Sequence, residues 1–463
     1  TTCKFMPTDW DEKTTGDLNS SPIPQFVNKK LNNIFFYANR LCFLSDDLLC
    51  MSRASKHFNF WNETAITLSD SDPIFLSAST ENFVKLYDFG MLDDDLILFS
   101  QHNQFKLSIG DVLSPKTAVL TTIGNNAYEP GTGVAATGSR LYFGHKAGDY
   151  YSACEFGTSA VTGSKEATRI TNHVPNLILF NTKLHLCGSD SANTLCVFSD
   201  ANPSVLSVYQ YYISGANKLQ AAWHKYTFTG FEIYGAFFRN NMLWLFMRKN
   251  GQAIIGTLDM SEHADNEQKE PALDYLYKIT TATASNTVTL PFYIDPVNAI
   301  VLMPLANGTL TQVHVTATKG QVLTLDKAST VFYVGESYRR LFEFSTQYPV
   351  NKKADGTETA ITSGRWQLQQ LKLNYGYSGP YMVKVKPLFD DSAEGFSYEF
   401  TGVTMGMQSS ILGRLPLESG ELSIPLRGRN TELRVYVESS SWLPESFTSA
   451  EWQGLYTTKV KQV

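Results

Sequence analysis

The stretch Asn39–Met51, NRLCFLSDDLLCM, decides how the rest of the chain is read. A polar residue leads a short apolar run, Ser45-Asp46-Asp47 breaks it, and a second apolar run closes the unit. Runs of this length suit single strands, and a short polar break suits the turn of a hairpin. The pattern returns as Asp95–Leu107 (DLILFSQHNQFKL), Ser139–Phe156 (SRLYFGHKAGDYYSACEF) and Thr182–Phe198 (TKLHLCGSDSANTLCVF). It appears again as Asn241–Leu258 (NMLWLFMRKNGQAIIGTL) and Asn298–Val315 (NAIVLMPLANGTLTQVHV). Starts lie 43 to 59 residues apart, the scale of one antiparallel blade.

Around these units, two-residue alternation is frequent and sustained i, i+3, i+4 apolar faces are few. Phe105–Ile109 and Thr311–Val315 alternate cleanly, and Asn250-Gly251 and Asn307-Gly308 suit turns that need positive φ. The 59 aromatics (29 Phe, 23 Tyr, 7 Trp) also favour strands. Residues 1–33 are polar and Pro-punctuated, reading as an irregular N-terminal arm. A second break falls at Tyr348–Gly364, beyond which Trp366–Leu373 (WQLQQLKL) alternates with one slip. The expectation is an all-β fold: β-propeller-like repeated antiparallel blades followed by a small C-terminal β-sandwich-like domain. The boundaries read 1–33 arm, 34–334 propeller-like domain of about six hairpin repeats, and 335–463 sandwich-like domain.

Chemistry is sparse. The chain carries net charge −6, so bulk charge does not argue for gripping phosphates. The six cysteines Cys3, Cys42, Cys50, Cys154, Cys187 and Cys196 form no C-x-x-C pair. They read as small buried apolar groups of a protein made in the cytosol. Neither H-E-x-x-H, G-x-S-x-G nor a Gly-rich phosphate loop occurs among the 463 residues. No apolar run reaches the roughly 18 residues of a membrane span, and no signal-peptide pattern opens the chain.

Asp70-Ser71-Asp72 and Asp93-Asp94-Asp95 are the tightest acid groups, without the Gly and distant Glu of a calcium loop. They read as turns, capped by aspartate side chains. Trp223, Trp244, Tyr209, Tyr211 and Tyr212 could stack on sugars or bases, but aromatics at strand spacing more often form the core, and these read as core. Asn62-Glu63-Thr64 and Asn307-Gly308-Thr309 match the glycosylation pattern, as any Ser/Thr-rich chain does. Catalytic, cofactor and metal residues are therefore assigned as none, and channel-lining or partner-binding residues as unknown.

An ordered series of motifs resembles the tail tubular protein B family of short-tailed bacteriophages (podoviruses), the nozzle of the tail. It begins with Ile34–Ser45 (IFFYANRLCFLS) and continues through Ser52-Arg53, Phe58–Trp61, Asp70–Ile74 and Ser77–Thr80. Leu96–Ser100, Gln104-Phe105 and Leu113–Thr117 follow, and near the C-terminus Thr362–Arg365, Tyr377–Gly379 and Thr448–Gly454. Cys42 replaces the glycine usual after Asn-Arg-Leu, and residues 158–220 match only in strand pattern. The family's chains also extend before the position of Thr1, which implies an N-terminally shortened chain.

The resemblance implies a structural virion protein, not an enzyme and with no cofactor, forming the distal tail tube. Its partners would be itself as a six-fold ring, the tail adaptor (tail tubular protein A), tail fibres, and double-stranded genomic DNA passing without sequence-specific binding. It implies a virion location with assembly in the host cytoplasm. Six copies at −6 each carry −36, a sign that discourages phosphate binding inside a bore. Asn125–Gly138 and Ser261–Glu270 are long enough to close such a channel. Two rival readings are a carbohydrate-binding or carbohydrate-degrading β-propeller of the phage tail and a monomeric cellular scaffold propeller.

Overall fold

The computed structural model describes residues 4, 6–17, 19–81, 83–158, 163–214, 217–261, 271–295, 297–353, 358–389, 395–402 and 415–458. Every regular element among them is a β-strand, and none is a helix able to cross a membrane. The chain folds into two compact units, Thr1–Glu262 and His263–Val463.

The first unit is a series of antiparallel meanders. Blade 1 is β1 (Leu31–Tyr37), β2 (Arg40–Ser45), β3 (Leu48–Met51) and β4 (Ile74–Ser77). Blade 2 is β5 (Leu86–Leu92), β6 (Asp95–Ser100), β7 (Gln104–Ser108) and β8 (Val119–Gly124). Blade 3 is β9 (Ala135–Thr137), β10 (Arg140–Ala147), β11 (Tyr150–Thr158) and β12 (Lys165–Arg169). Blade 4 is β13 (Leu184–Ser189), β14 (Thr194–Ser199), β15 (Val205–Ser214) and β16 (Asn217–Thr227). Blade 5 has three strands, β17 (Phe231–Arg239), β18 (Met242–Lys249) and β19 (Gln252–Asp259).

Turn chemistry explains the meanders. Tyr37 pairs Arg40, Leu92 pairs Asp95, Thr137 pairs Arg140, Arg239 pairs Met242 and Lys249 pairs Gln252, each leaving a two-residue loop. The first loop residue has positive φ in every case: Ala38 (46°), Asp93 (56°), Gly138 (51°), Asn240 (54°) and Asn250 (50°). Turns of that hand match the twist of the strands they join. The polar residue that leads the repeated unit is the second residue of such a loop in blades 1, 3 and 5: Asn39, Ser139 and Asn241.

The repeated unit forms the second and third strands of blades 1, 2, 3 and 5, but the first and second strands of blade 4.

Apolar faces then stack. Cys42, Leu44, Leu49 and Met51 of blade 1 pack with Leu86, Leu96, Leu98 and Phe105 of blade 2. Leu92, Ile97 and Phe99 on the other face of blade 2 meet Leu141, Phe143 and Phe156 of blade 3. Tyr142, Tyr151 and Ala153 meet Leu184, Val197 and Tyr209 of blade 4. Strand β2 is buried along its whole length, because its second face is covered too: Leu41, Phe43, Leu48 and Cys50 pack with Phe60 and with Phe26 of the arm. Trp10 adds a ring 6.2 Å from Phe43. Burying a phenylalanine contributes about 2–3 kcal/mol, so the described arm residues act as a lid on the first blade.

The sixth repeat behaves differently. It becomes β21 (Ala299–Pro304), β22 (Leu310–Val313) and β23 (Val315–Lys319) within the second unit, between long strands β20 (Asp274–Thr289) and β24 (Val322–Glu336). The sheet order is β20-β24-β21-β22, with β23 also on β24, so the strands do not run in sequence. The compact units divide at 262/263, inside the span 34–334 assigned from the sequence to the propeller-like domain.

The rest of the second unit is two antiparallel sheets and a small hairpin. One sheet orders β25 (Arg340–Glu343), β32 (Leu433–Ser439), β29 (Tyr381–Pro387) and β30 (Phe396–Phe400). The other orders β31 (Glu418–Arg429), β28 (Gly364–Ser378) and β33 (Phe447–Thr458). Strands β26 (Val350–Lys352) and β27 (Glu358–Ala360) form the hairpin. Leu371, Leu373 and Ile424 from one sheet meet Val383, Val385 and Val437 from the other, a small sandwich core. The slip in WQLQQLKL is a β-bulge, where β28 shifts register between Leu368 and Gln370 against both neighbours.

Candidate functional site

Three of the motif segments, at Ser52, Asp70–Asp72 and Leu113, converge on Arg40, which is 2% exposed. Its Nη1 donates to the carbonyls of Ser52 and Asp72 (both 2.7 Å), and Nη2 to that of Asp70 (2.8 Å). Longer contacts reach Ser71 O (3.4 Å) and Leu113 O (3.5 Å). Burial pulls the Arg40 pKa down from its ordinary value, and the facing carbonyls satisfy the donors that burial would otherwise strand. Ser52 Oγ accepts from Leu41 N (2.9 Å), returning the clamp to the strand that carries Arg40.

Asp70-Ser71-Asp72 is thus a turn that feeds carbonyls to Arg40. The Asp72 carboxylate, fully buried, accepts from Glu63 N and Ser69 N (both 2.8 Å). Arg53 closes the loop by pairing with Glu63 (2.8 Å). In the second acid group Asp93 and Asp95 are engaged, while Asp94 is exposed. Asp93 occupies a turn, Lys165 lies 3.1 Å from it, and Lys106 pairs with Asp95 (2.8 Å).

Gln104, fully buried, has a comparable role in blade 2. Its Nε2 donates to Asn126 O (2.8 Å) and its Oε1 accepts from Asn126 N (3.0 Å). Tyr128 is buried beyond it and donates to Asp88 (3.1 Å), so Asn125–Gly138 is pinned near its start. Of the other long loop, Ser261–Glu270, residues 262–270 lie outside the described residues.

Between blades 3 and 4, Glu155 gathers three donors: Arg140 Nε (2.9 Å), Tyr142 OH (3.0 Å) and Lys218 Nζ. Desolvation lowers the Lys218 pKa while Glu155 opposes it. Lys218 also lies over the rings of Tyr209 and Tyr211. The stacking platform is dispersed. Tyr209 and Tyr211 are core residues, and Trp223 donates to Ile170 O (3.0 Å). Tyr212 is exposed on β15, while Trp244 stacks on Phe237 in blade 5.

Among the described residues, two acids have raised pKa values, both from burial: Asp88 in blade 2 and Glu445 in the sandwich. They lie in separate units, Asp88 held by Asn33 (2.9 Å) and Tyr128, Glu445 by Arg340 (2.7 Å). Among the described residues, no three His, Cys, Asp or Glu side chains gather as metal ligands. Among the described residues, clefts open in the sandwich. One, of about 480 Å³, is lined by Tyr381, Glu399, Phe400 and Glu438. Its Glu438 is paired with Arg339 (2.8 Å) and Lys384 (3.0 Å). Another, of about 590 Å³, is lined by Tyr348, Arg365, Trp366, Arg429 and Tyr456.

Sequence reading missed Arg40, Gln104 and Glu155. Their signal was only the motif positions of Arg40 and Gln104, since nothing in spacing announces a buried polar clamp. All three brace one strand or blade against the next. The class so defined is a repeated all-β protein whose strands and blades are braced by buried polar side chains.

The chain belongs to the bacteriophage nozzle protein family, whose model matches residues 1–463. It is 24% identical over 477 aligned residues to tail tubular protein gp12 of Escherichia phage T7, covering 98% of this chain and 59% of that relative. The chain thus spans about three fifths of the length of the curated relative it matches. Family membership makes it a component of the phage virion. Among solved structures, a pair of prolyl endopeptidases (TM-score 0.32, 11% identity, 72% of this chain and 54% of that one) overlaps loosely. A post-proline cleaving enzyme from Rickettsia typhi does likewise (TM-score 0.30, 11% identity, 71% and 48%). Overlaps this loose transfer neither fold nor activity.

Proposed function

We propose that the chain contributes to the distal tail tube of a short-tailed bacteriophage, a closed conduit that opens for genome ejection. The observation that carries this reading is the family match along the whole chain, joined to a clamp in which Arg40 ties the Ser52 and Asp72 carbonyls of blade 1 to that of Leu113 in blade 2. A wall around a passing duplex must hold its shape without gripping phosphates. Blades whose faces are covered by neighbours supply the stiffness, and a net charge of −6 per chain disfavours DNA retention.

In the assembled tail, six copies close a ring beneath the adaptor, tail tubular protein A, with tail fibres nearby. Assembly takes place in the host cytoplasm. Residues 34–334, five blades followed by the β20–β24 sheet, act as the tube wall and 335–463 as the terminal sandwich, with 1–33 as an arm. Loops projecting into the lumen hold the channel shut, and receptor engagement biases a two-state element toward open. Imaging particles assembled without this protein tests the reading. The expected particles have shortened tails and have lost their genome. Full-length tails that retain packaged DNA overturn it.

A further inference from the structure

Blade 4 places two cysteines directly opposite one another. In the β13–β14 ladder Cys187 pairs Cys196, next to the stacked rings of His185 and Phe198 (5.0 Å). Opposed residues of an antiparallel pair have Cα atoms about 4.5 or 5.5 Å apart, depending on the site. Both values fall within the roughly 4.4–6.8 Å spanned by disulfide-linked cysteines. The Cys196 thiol is pushed well up, first by its interaction with Cys187 across the ladder and then by burial. Cys196 is fully buried, whereas Cys187 is partly exposed. The remaining described cysteines face other residue types across their ladders: Cys42 faces Met51 and Phe35, Cys50 faces Phe43 and Phe75, and Cys154 faces Phe143 and Arg169.

We propose that Cys187 and Cys196 form a redox modification site, reduced when the chain folds and closed to a cross-strand disulfide by a low-molecular-weight disulfide such as oxidised glutathione. Cys187, as its thiolate, attacks one glutathione sulfur, forming a mixed disulfide and expelling one glutathione thiolate. The Cys196 sulfur then attacks the Cys187 sulfur and displaces the second glutathione. The protein gives up two protons and two electrons, and the glutathione disulfide becomes two thiols. The bond staples the strands flanking the Ser189–Thr194 turn. There Ser189 Oγ donates to Asn240 O of blade 5 (3.1 Å), so the staple also firms the blade 4–blade 5 seam. That closure occurs after release from the cell rests on the virion reading above; the chemistry of the pair does not.

The test treats the full chain with oxidised glutathione, alkylates it with N-ethylmaleimide under denaturing conditions, and maps tryptic peptides. Both cysteines fall between Lys183 and Lys218, with no intervening Lys or Arg. The expected peptide, Leu184–Lys218, is two hydrogens lighter, takes no maleimide, and takes two after reduction. Cys187→Ser, at the partly exposed position, should leave Cys196 fully alkylated. Maleimide on both cysteines of the native chain, or a persistent glutathione adduct on Cys187, overturns the proposal. So does loss of the Cys196 thiol in Cys187→Ser. Particles alkylated inside cells and after release test the timing alone: a bond absent from released particles refutes it while leaving the site intact.

Discussion

Arg40 holds a guanidinium against three carbonyls of two segments, at Ser52 and in the Asp70–Asp72 turn, while almost fully buried. Removing it strands those acceptors, and each unpaired buried group costs about 1–3 kcal/mol. Arg40→Met should therefore lower unfolding free energy by about 3 kcal/mol or more in denaturant titration. Arg40→Lys should lose much of this too, since an ammonium cannot reach several acceptors in one plane. The side chain was hard to foresee because arginine is usually a surface residue, and its partners are backbone oxygens that carry no residue-type signal.

Two carboxylates give opposite acid responses. Glu438 is held below its ordinary 4.5, chiefly by its hydrogen bond to Arg339, so this stability is present above that value and lost as pH falls through the folded one. Arg339→Ala should lower the melting temperature at neutral pH, with the difference closing in acid. Asp88 is raised above 3.8 by burial, so its contribution is full below that value and lost as pH rises through the folded one. Asp88→Asn should therefore melt higher than the parent at neutral pH, and the advantage should fade below pH 4. A gap that widens in acid for either variant would contradict these assignments.

At the level of the element, the strands and turns were legible because period-2 alternation and left-handed loop residues are local properties. The slip in WQLQQLKL is a case in point, since a skipped alternation is what a bulge looks like in sequence. Blade 4 was not legible in its true phase. A hairpin signature marks two neighbouring strands but does not say which place they hold in the sheet. Local strain offers a further check. Ala38 adopts φ 46° in an exposed turn, a conformation that costs a residue with a Cβ about 1–2 kcal/mol. Ala38→Gly should recover about 1 kcal/mol, visible as a higher melting temperature. At Gly364 the reverse holds, because an added Cβ would sit 2.2 Å from the ring of Tyr456. Gly364→Ala should destabilise the sandwich by about 1–3 kcal/mol.

At the scale of the molecule, composition located the change in character at 348–364 but not the division at 262/263. The sheet built on β20 and β24 looks like another repeat in sequence, yet its chain path and its tie to the sandwich side of the division are tertiary facts. One such tie is the hydrogen bond from Ala272 N to Trp442 O (2.8 Å). Limited proteolysis should accordingly release a protected fragment starting near residue 263. Dominant cleavage near 335 would favour the boundary read from composition. Residues that brace the blades were likewise invisible one at a time, because each depends on a partner from a distant segment.

The one-strand offset of blade 4 bears on how such chains can be cut and rejoined. A graft that swaps modules by matching their recurring motif would import one blade's first strand in place of another's second, leaving one sheet a strand short and its neighbour with a surplus. Splice sites placed just ahead of Leu31, Leu86, Ala135, Leu184 and Phe231 would instead transfer whole sheets. Recombination between related tails should leave viable joints at those positions.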